Sequence, residues 1–316
     1  MRPKIYVDGQ EGTTGLRIRD WLSWRGDLDL IVLPHAQRKD PEARYEAMAA
    51  ADVVILCLPD EAAREAAQWA AKAGTRLIDA STAHRVHPDW VYGLPELSPE
   101  QEAAIRGATR VANPGCYASA FILLVRPLID AGLVEPEAPL VCHALSGYSG
   151  GGRALIERWE DPEAGLAQLP YEAPYALQRV HKHIPEMMRY TGLVTEPYFE
   201  PAVGPFRCGM RVQIPLHARH LRGTPRQVWD TLAERYDGQA FVRLHRYSEN
   251  GELAEDALSP LACNDTNRME LHAIPHPSGH VLLVAVLDNL GKGAAGSAIQ
   301  NLNLMLGLPA HTGLPA

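Results

Sequence analysis

The sequence predicts an α/β fold in two domains, a doubly wound parallel sheet followed by an α+β domain. Two observations support this prediction. Over the first hundred of the 316 residues, apolar strand-like segments alternate with helical ones, as in a parallel sheet that helices cover on both faces. Beyond residue 116, strand-like segments follow one another in runs, which indicates a second, largely antiparallel sheet.

The elements follow from short apolar runs and from apolar residues at helical spacing. In the first region, the predicted strands cover residues 4–7, 28–34, 52–58 and 76–80, and the predicted helices cover 16–25, 42–50 and 61–73. The third helix ends near Gly74, because glycine commonly ends helices. In the second region, we predict strands at 139–146, 208–217, 241–246, 268–274 and 280–288, and helices at 153–159, 184–190, 225–236 and 293–307.

Three glycines separate the first predicted strand from the first predicted helix. Gly9, Gly12 and Gly15 stand where a dinucleotide-binding loop belongs, and a helix N-terminus offers backbone N–H groups to a pyrophosphate. The first two glycines are one residue further apart than in the usual fingerprint, so a turn with accidental glycines is the alternative. Their place in the alternation favours a Rossmann-like domain that binds a dinucleotide.

The end of the second predicted strand bears on the choice of cofactor. No acidic residue stands there to bind an adenosine ribose, whereas Arg38 and Lys39 follow four residues later. A basic pair suits the 2′-phosphate of NADP(H). A solvated charged loop is the alternative for these two residues.

Composition and charge argue against several classes of protein. The 38 acidic residues outnumber the 30 basic ones, which is unlike a nucleic-acid-binding protein. The longest apolar runs, 53–58 and 281–287, are far shorter than the roughly 18 residues of a membrane span, and the N-terminus lacks the apolar segment of a signal peptide. Five cysteines without a Cys-x-x-Cys pair indicate reduced thiols. We therefore expect a cytoplasmic protein with neither a nucleic-acid nor a membrane partner.

Cys116 is the candidate nucleophile. It follows the turn-forming segment Asn113-Pro114-Gly115 and precedes an apolar helical run, so it stands at a helix N-terminus. The helix dipole and the backbone N–H groups there favour a thiolate and stabilise an oxyanion on a carbon bound to it. A buried structural cysteine is the alternative, and it fits Cys57 and Cys142 better.

His183 is the candidate acid/base partner of that thiolate. Glu186, three residues further on, would orient the imidazole, and Pro185 lies in the first turn of a helix. A metal site at His181, His183 and Glu186 and a purely structural histidine are the alternatives, and we predict no metal. The glycines at 150–152, before Arg153, could cradle a substrate phosphate or form a flexible loop.

Six motifs in the same order resemble those of the N-acetyl-γ-glutamyl-phosphate reductases, in the shorter, second form of that family. They are Gly-x-x-Gly-x-x-Gly after the first strand, Asp79-Ala-Ser81-Thr-Ala-His-Arg85, Ala112-Asn-Pro-Gly-Cys116-Tyr, Ser146-Gly-Tyr-Ser-Gly-Gly-Gly-Arg153, His183-x-Pro-Glu186 and Asn289-Leu-Gly-Lys-Gly-Ala294. The resemblance spans residues 4 to 308. One departure is Ser119, where the family more often has threonine.

The resemblance implies NADPH-dependent reduction of an acyl phosphate to an aldehyde in arginine biosynthesis, with Cys116 as nucleophile and His183 as acid/base. It also implies that the last helix returns to the first domain. We therefore expect residues 1–115 and 290–316 to form the NADP-binding domain, and 116–289 the catalytic and dimerisation domain. The expected partners are an acyl-phosphate substrate, phosphate and further copies of the chain, in a homodimer or homotetramer.

Residue patterns and resemblance together predict three groups of site residues. The catalytic group is Cys116, His183 and Glu186. The cofactor group is Gly9, Gly12, Thr13, Thr14, Gly15, Arg38, Lys39, Ser81, Pro114 and Gly115. The substrate group is Asn113, Ser146, Ser149, Gly150 and Arg153.

Other functions stay open at this point. Aspartate-semialdehyde dehydrogenases share the layout and the cysteine–histidine chemistry, but Asn directly precedes their cysteine, where Gly115 stands here. A reductase for a related acyl phosphate, such as an aminoadipyl or carrier-bound one, and a non-catalytic NADP sensor are further alternatives. The sequence does not say which of Arg110, Arg153, Lys182 and Arg211 binds the substrate carboxylate.

Overall fold

A computed structural model describes residues 2–178, 180–254 and 256–316. The chain divides into two compact units. The first contains residues up to Pro114 together with Ala294–Pro315, and the second contains Gly115–Gly293 and Ala316. The assignment of a separate function to each predicted domain stays a prediction.

Most of the first unit is an alternation of strands and helices. Its elements up to residue 114 are β1 (Lys4–Asp8), α1 (Thr13–Ser23), β2 (Asp29–Ile31), α2 (Pro41–Ala50), β3 (Val53–Leu56), α3 (Asp60–Ala73), β4 (Arg76–Asp79), β5 (Val91–Tyr92), α4 (Gln101–Gly107) and β6 (Arg110–Ala112). The six strands form one sheet in the order β2-β1-β3-β4-β6-β5, and every neighbouring pair is parallel. The predicted doubly wound sheet is therefore confirmed.

The core of this sheet follows from the sequence. All four residues of β3 are fully buried, as a strand covered on both faces requires. Helix α3 packs an alanine face of Ala63, Ala66 and Ala70 against the sheet and ends at Gly74, whose φ of +74° is left-handed. The second strand was predicted too long, because only Asp29–Ile31 pairs with β1.

Among its described residues, the second unit contains a seven-stranded sheet and four α-helices. Its elements are α5 (Cys116–Asp130), β7 (Val141–Gly147), α6 (Arg153–Glu160), β8 (Ala173–Pro174), α7 (Ile184–Thr191), β9 (Tyr198–Gly204), β10 (Met210–Leu216), α8 (Pro225–Tyr236), β11 (Val242–Leu244), β12 (Met269–Pro275) and β13 (Val281–Leu287). The strand order is β11-β12-β13-β10-β7-β9-β8. This arrangement of sheet and helices agrees with the predicted α+β domain.

The sheet of the second unit is largely antiparallel, as predicted, but it is mixed. Four neighbouring pairs are antiparallel, but β7 with β9 and β11 with β12 are parallel. The sequence did not predict β9, because Pro201 stands inside it and a proline argues against a strand. Pairing with β7 forms this strand despite the proline.

The last helix belongs to the first unit. A π-helical turn, Gly291–Ala295, leads into α9 (Gly296–Met305), and every residue of α9 is buried. The polar side chains of α9 have partners: the amide of Asn301 donates to Gly93 O at 2.9 Å, and Arg25 donates to Asn303 Oδ1 at 2.9 Å. Such pairing is what allows amides to be buried.

None of the helices in the described part of the chain has the length and apolar character needed to cross a membrane.

Candidate active site

Cys116 is the first residue of α5. Gly115 is the N-cap, with φ −80° and ψ 145°, and the first turn has neither a capping side chain nor an acidic residue. The first N–H groups of a helix have no acceptors within the helix and carry its positive end. The side chain of Cys116 is half-buried, so this thiol combines a helix N-terminus with access from outside.

Three further cysteines are poor nucleophiles, because the pKa of each thiol is raised. Burial raises the pKa of Cys142, which is fully buried within β7, and of Cys57, where Asp79 and Asp8 add to the effect. Burial also raises the pKa of Cys263, to about 11. Cys57 was predicted to lie within a strand, but it lies just after the end of β3. The environments of Cys57 and Cys142 agree with the expectation that both are structural cysteines.

Glu186 makes a contact that sequence reasoning did not predict. Its side chain is buried in the first turn of α7, and its Oε2 accepts a hydrogen bond of 2.9 Å from the backbone N–H of Gly115. The carboxylate therefore connects α7 to the residue directly before Cys116. The predicted orientation of the His183 imidazole by Glu186 stays a prediction beside this contact.

His183 is the N-cap of α7 and is surrounded by aromatic rings. The ring of Tyr117 is centred 5.7 Å from it, and that of His181 4.8 Å from it in an edge-to-face arrangement. The backbone N–H of His183 donates to Nδ1 of His181 at 3.2 Å. In its neutral form, His181 therefore carries its proton on Nε2, which lies 3.4 Å from the hydroxyl of Tyr175.

Tyr117 connects this histidine pair to β7. Burial, more than the nearby Tyr175 and Cys116, holds the pKa of Tyr117 well above its usual range, so the phenol stays neutral. Its hydroxyl accepts from that of Tyr175 at 3.4 Å and also contacts the side chain of Ser146. The structure thus brings Cys116, His183 and Ser146 together around Tyr117. Tyr117 and His181 lie inside motifs of the sequence, but spacing alone gave them no role.

The remaining predicted substrate residues differ in their surroundings. Ser149 is buried, and its hydroxyl accepts a 2.9 Å hydrogen bond from the amide of Asn289. A Cβ on Gly150 would lie 3.2 Å from Ser146 Oγ, so Gly150 adjoins that serine. Arg153 is exposed and pairs with Glu157 at 2.7 Å.

Asn113, the other predicted substrate residue, lies in the first unit and is engaged at both ends of its amide. It donates to Ala294 O at 3.0 Å and accepts from Asn301 at 3.1 Å.

Gly293 lies against Cys116. A Cβ built on Gly293 would come 2.8 Å from Cys116 Cβ, which is closer than real Cβ contacts. Because Gly293 has no side chain, Cys116 has room at this position.

In the first unit, the glycine loop has the geometry of a phosphate cradle. Gly9 has φ +83°, and a Cβ there would lie 2.3 Å from Cys57 O, while a Cβ on Gly15 would lie 2.4 Å from Gly9 O. Gly12 is the N-cap of α1, and Thr13 and Thr14 open the helix with no acidic residue in the first turn. The loop thus fits a pyrophosphate at a helix N-terminus.

The basic pair lies near this loop. Arg38 Nη1 is 3.7 Å from a carboxylate oxygen of Glu11, inside the glycine loop, whereas Lys39 is exposed. Gln10, also in the loop, donates to Leu33 O at 3.3 Å, just after β2. Sequence reasoning missed a second basic group: Arg44 pairs with the buried carboxylate of Asp8, at the end of β1, at 2.7 Å.

Ser81 belongs to a hydrogen-bonded group around Asp79. The hydroxyl of Ser81 donates to Asp79 Oδ2 at 2.7 Å, and Nδ1 of His84 lies 2.6 Å from the same oxygen. The ring of His84 stacks on Trp90 with centroids 4.1 Å apart. Part of the Asp-Ala-Ser motif therefore shapes the turn after β4, and the predicted cofactor roles of Ser81, Pro114 and Gly115 stay predictions.

Comparison with protein families defines the class of the protein. Residues 116–289 match the family described as semialdehyde dehydrogenase, dimerisation domain, and residues 33–105 match the semialdehyde dehydrogenase NAD binding domain. The two-unit fold and the helix-N-terminal thiol are thus those of a nucleotide-binding protein of the semialdehyde dehydrogenase class.

Curated relatives narrow this class. The N-acetyl-γ-glutamyl-phosphate reductase 2 of Pseudomonas putida is 48% identical over 98% of this chain and 99% of its own. The N-acetyl-γ-glutamyl-phosphate reductases of Burkholderia lata and Trichormus variabilis are 46% and 43% identical, over 97% and 99% of both chains respectively. The chain belongs to the N-acetyl-γ-glutamyl-phosphate reductase family, and the resemblance drawn from its motifs is confirmed.

Solved structures agree on the fold. Aspartate semialdehyde dehydrogenase II from Vibrio cholerae has a TM-score of 0.73 at 18% identity, covering 97% of this chain and 99% of its own. The aspartate semialdehyde dehydrogenase with NADP from Candida albicans has a TM-score of 0.64 at 14% identity, with the same coverage. At such identities the likeness concerns the fold alone.

Proposed function

We propose that this protein reduces N-acetyl-γ-glutamyl phosphate to N-acetylglutamate semialdehyde with NADPH, in arginine biosynthesis, through a thioester on Cys116. The observation that carries the proposal is the position of Cys116 as the first residue of α5, in a chain of this family. The substrate is the one in the names of relatives that match almost the whole chain.

Cys116 performs the first chemical step. Its thiolate attacks the carbonyl carbon of the acyl phosphate, the carbon–oxygen bond to phosphate breaks, and phosphate leaves with the electron pair. The N–H groups in the first turn of α5 stabilise the oxyanion that forms on that carbon. Glu186 keeps Gly115 in place by its hydrogen bond, so the thiol is held at the start of the helix.

His183 moves the protons of the second step. A bound NADPH supplies the hydride that takes the thioester to the aldehyde level. His183 donates a proton to the oxygen of the thiohemiacetal and removes it as the carbon–sulfur bond to Cys116 breaks. The aldehyde then leaves, and Cys116 is a thiolate again. The packing of Tyr117 and His181 on His183 restricts its ring orientation.

The glycine loop and the basic pair proposed for the cofactor lie in the first unit. The backbone around Gly9, Gly12 and Gly15, with Thr13 and Thr14, would hold the pyrophosphate. Arg38 would exchange Glu11 for the 2′-phosphate, with Lys39 as a second cation.

The acyl-phosphate site lies at the end of β7, in the second unit. The phosphate would bind at Ser146, Gly150 and the start of α6. The support for this position is Tyr117, which packs at the thiol site and whose hydroxyl contacts Ser146. Arg153 is exposed beyond this start and would have to turn inwards to contribute. We further propose that the protein works in the cytoplasm as a homodimer or homotetramer, which the match to a dimerisation domain supports.

The reverse reaction tests the substrate. Protein, NADP⁺ and phosphate are incubated with N-acetylglutamate semialdehyde, aspartate semialdehyde or N-acetylaminoadipate semialdehyde, and NADPH absorbance is followed. We expect turnover with the first aldehyde at a kcat/KM far above that with the others. Preference for aspartate semialdehyde would assign the neighbouring activity, and no turnover with any of the aldehydes would favour a sensor.

A second measurement tests the intermediate. The protein is mixed with the acyl phosphate without NADPH, and the mass of the chain is measured. We expect an N-acetylglutamyl adduct on Cys116 and none in the Cys116→Ala variant. An active enzyme that never acquires this adduct would rule out the thioester.

A further inference from the structure

Three potential metal ligands meet at one edge of the sheet in the second unit. His245 follows β11, while Glu270 and His272 lie two residues apart on the same face of β12. One donor atom from each residue can be chosen so that all three lie within 4.8 Å of one another. Within the part of the chain that the structure describes, this is the one such group, and it shares no residue with the thiol site.

His272 is not explained by packing alone. Its side chain is only 3% exposed, and its Nε2 has no hydrogen-bond partner among the described residues. Burying a polar atom without a partner is unfavourable, so such an atom calls for a ligand. Its ring stacks on that of His245 with centroids 4.0 Å apart and an angle of 14°.

Glu270 completes the donor set. Its Oε2 lies 3.0 Å from Nε2 of His245, and its Oε1 lies 2.9 Å from Nε of Arg268. This ion pair puts a partner beside one carboxylate oxygen from outside the three ligands, as is common for metal-binding carboxylates. The other oxygen faces the imidazole of His245.

We propose that His245, Glu270 and His272 bind a divalent transition-metal ion, with Zn²⁺ as the best match. Two imidazoles and a carboxylate are typical ligands of zinc, and water would take the fourth position. With metal–ligand bonds of about 2.0–2.1 Å, tetrahedral ligands lie about 3.3 Å apart. The 3.0 Å between His245 and Glu270 is already close to that value.

A modest rotation of His245 would complete the site. Its side chain is 42% exposed, so it can turn and give the ion access from solvent. The ion would connect the end of β11, a three-residue strand at the sheet edge, to the long strand β12. Its role is to stabilise this edge, and it takes no part in the reduction.

Zinc binding tests the proposal directly. The Cys116→Ser protein is freed of metal with a chelator and titrated with Zn²⁺ by calorimetry, because the thiolate of Cys116 would itself bind Zn²⁺. We expect about one ion per chain, and binding weakened at least tenfold by Glu270→Gln or His272→Leu in that background. Loss of even an outer partner weakens metal binding about 10–100-fold, so loss of a ligand should cost at least as much.

One control variant and two further measurements separate this site from others. His280→Ala is the matched control, because His280 belongs to a different group of neighbouring histidine rings, with His217 and His276. It should leave the affinity unchanged. Co²⁺ in place of Zn²⁺ should give visible d–d bands without a thiolate charge-transfer band, and Zn²⁺ should raise the Tm unless Glu270 is replaced.

Two outcomes of the zinc titration would overturn the proposal. A Cys116→Ser protein that takes up no Zn²⁺ would contradict it, and so would binding that both ligand variants retain. Should His272→Leu fail to fold, His245→Ala decides the matter. That side chain is partly exposed, so its removal leaves the core packed.

Discussion

The carboxylate of Glu186 accepts a hydrogen bond from the backbone N–H of Gly115, which directly precedes Cys116. The two residues are 71 positions apart in the chain, and both are buried. A buried, charge-assisted hydrogen bond at this place positions the start of α5 and with it the thiol.

The loss of activity or stability on replacing Glu186 should depend on whether the new side chain can accept a hydrogen bond. Glu186→Gln keeps an acceptor for the Gly115 N–H, whereas Glu186→Ala removes it. A hydrogen bond to a charged group contributes about 1.5–3 kcal/mol. We therefore expect Glu186→Ala to lower the free energy of unfolding, or to raise the activation free energy for kcat, by about that amount. Glu186→Gln should lose less of both. Steady-state kinetics and thermal unfolding measure the two effects. Equal values for all three proteins would contradict this role of the contact.

Cys116→Ser should abolish reduction while NADPH binding is unchanged. A serine hydroxyl without strong base activation is a weaker nucleophile and would form an ester in place of the thioester. Cys142→Ala is the control, because burial raises the pKa of that thiol and holds it protonated. The control should lose roughly 1 kcal/mol of stability and keep its kcat. A serine variant with comparable turnover would end the covalent hypothesis.

His183→Asn should lower kcat by ~10²–10⁴, which is the usual contribution of a positioned acid/base. The substitution keeps a polar side chain at the N-cap of α7, so the fold should persist. His311→Asn, at an exposed position, is the matched control and should be as active as the wild type. A fully active His183→Asn protein would show that His183 is not the acid/base and has only a structural role.

Gly293→Ala should lower kcat by about 10²-fold, because the new methyl group would push against Cys116 and misplacement by about 1 Å can cost that much. Gly107→Ala is the control, since a Cβ there meets nothing within 4 Å. It should leave kcat unchanged. If the two alanine variants have the same kcat, Gly293 has no influence on the position of the thiol.

Replacing Arg38 and Lys39 with alanine should raise the KM for NADPH tenfold or more and hardly change that for NADH. Charge-assisted contacts of about 1.5–3 kcal/mol each would be lost only with the phosphorylated cofactor. Arg64→Ala is the control, because Arg64 forms an exposed pair with Glu61, and such pairs contribute little. An equal effect on both cofactors would show that the basic pair is only surface charge.

Local patterns predicted much of the fold and, within the site, the position of Cys116 at the start of a helix. The alternation from β1 to β4 and the turn before Cys116 involve residues close in sequence, so apolar runs and Asn-Pro-Gly were sufficient. Strands β5 and β8 have two residues each, and they form because a longer neighbour offers them a partner. No local pattern reveals such a strand.

Contacts between distant segments were beyond sequence reasoning. Glu186 was predicted to act on His183, three residues away, but its contact with Gly115 depends on how α7 packs against α5. His245 and His272 likewise meet because β11 pairs with β12 in parallel. The sequence indicated which residues are chemically reactive. It did not indicate which distant residues contact and position them.

The close approach of Gly9 to the carbonyl of Cys57 has a consequence for the evolution of this family. A side chain at position 9 would collide with a backbone atom, and every residue type at position 57 supplies that same atom. No second substitution can therefore compensate for the loss of Gly9. We expect position 57 to vary among small residues as lineages diverge, while position 9 stays glycine, so that the two neighbours drift at very different rates.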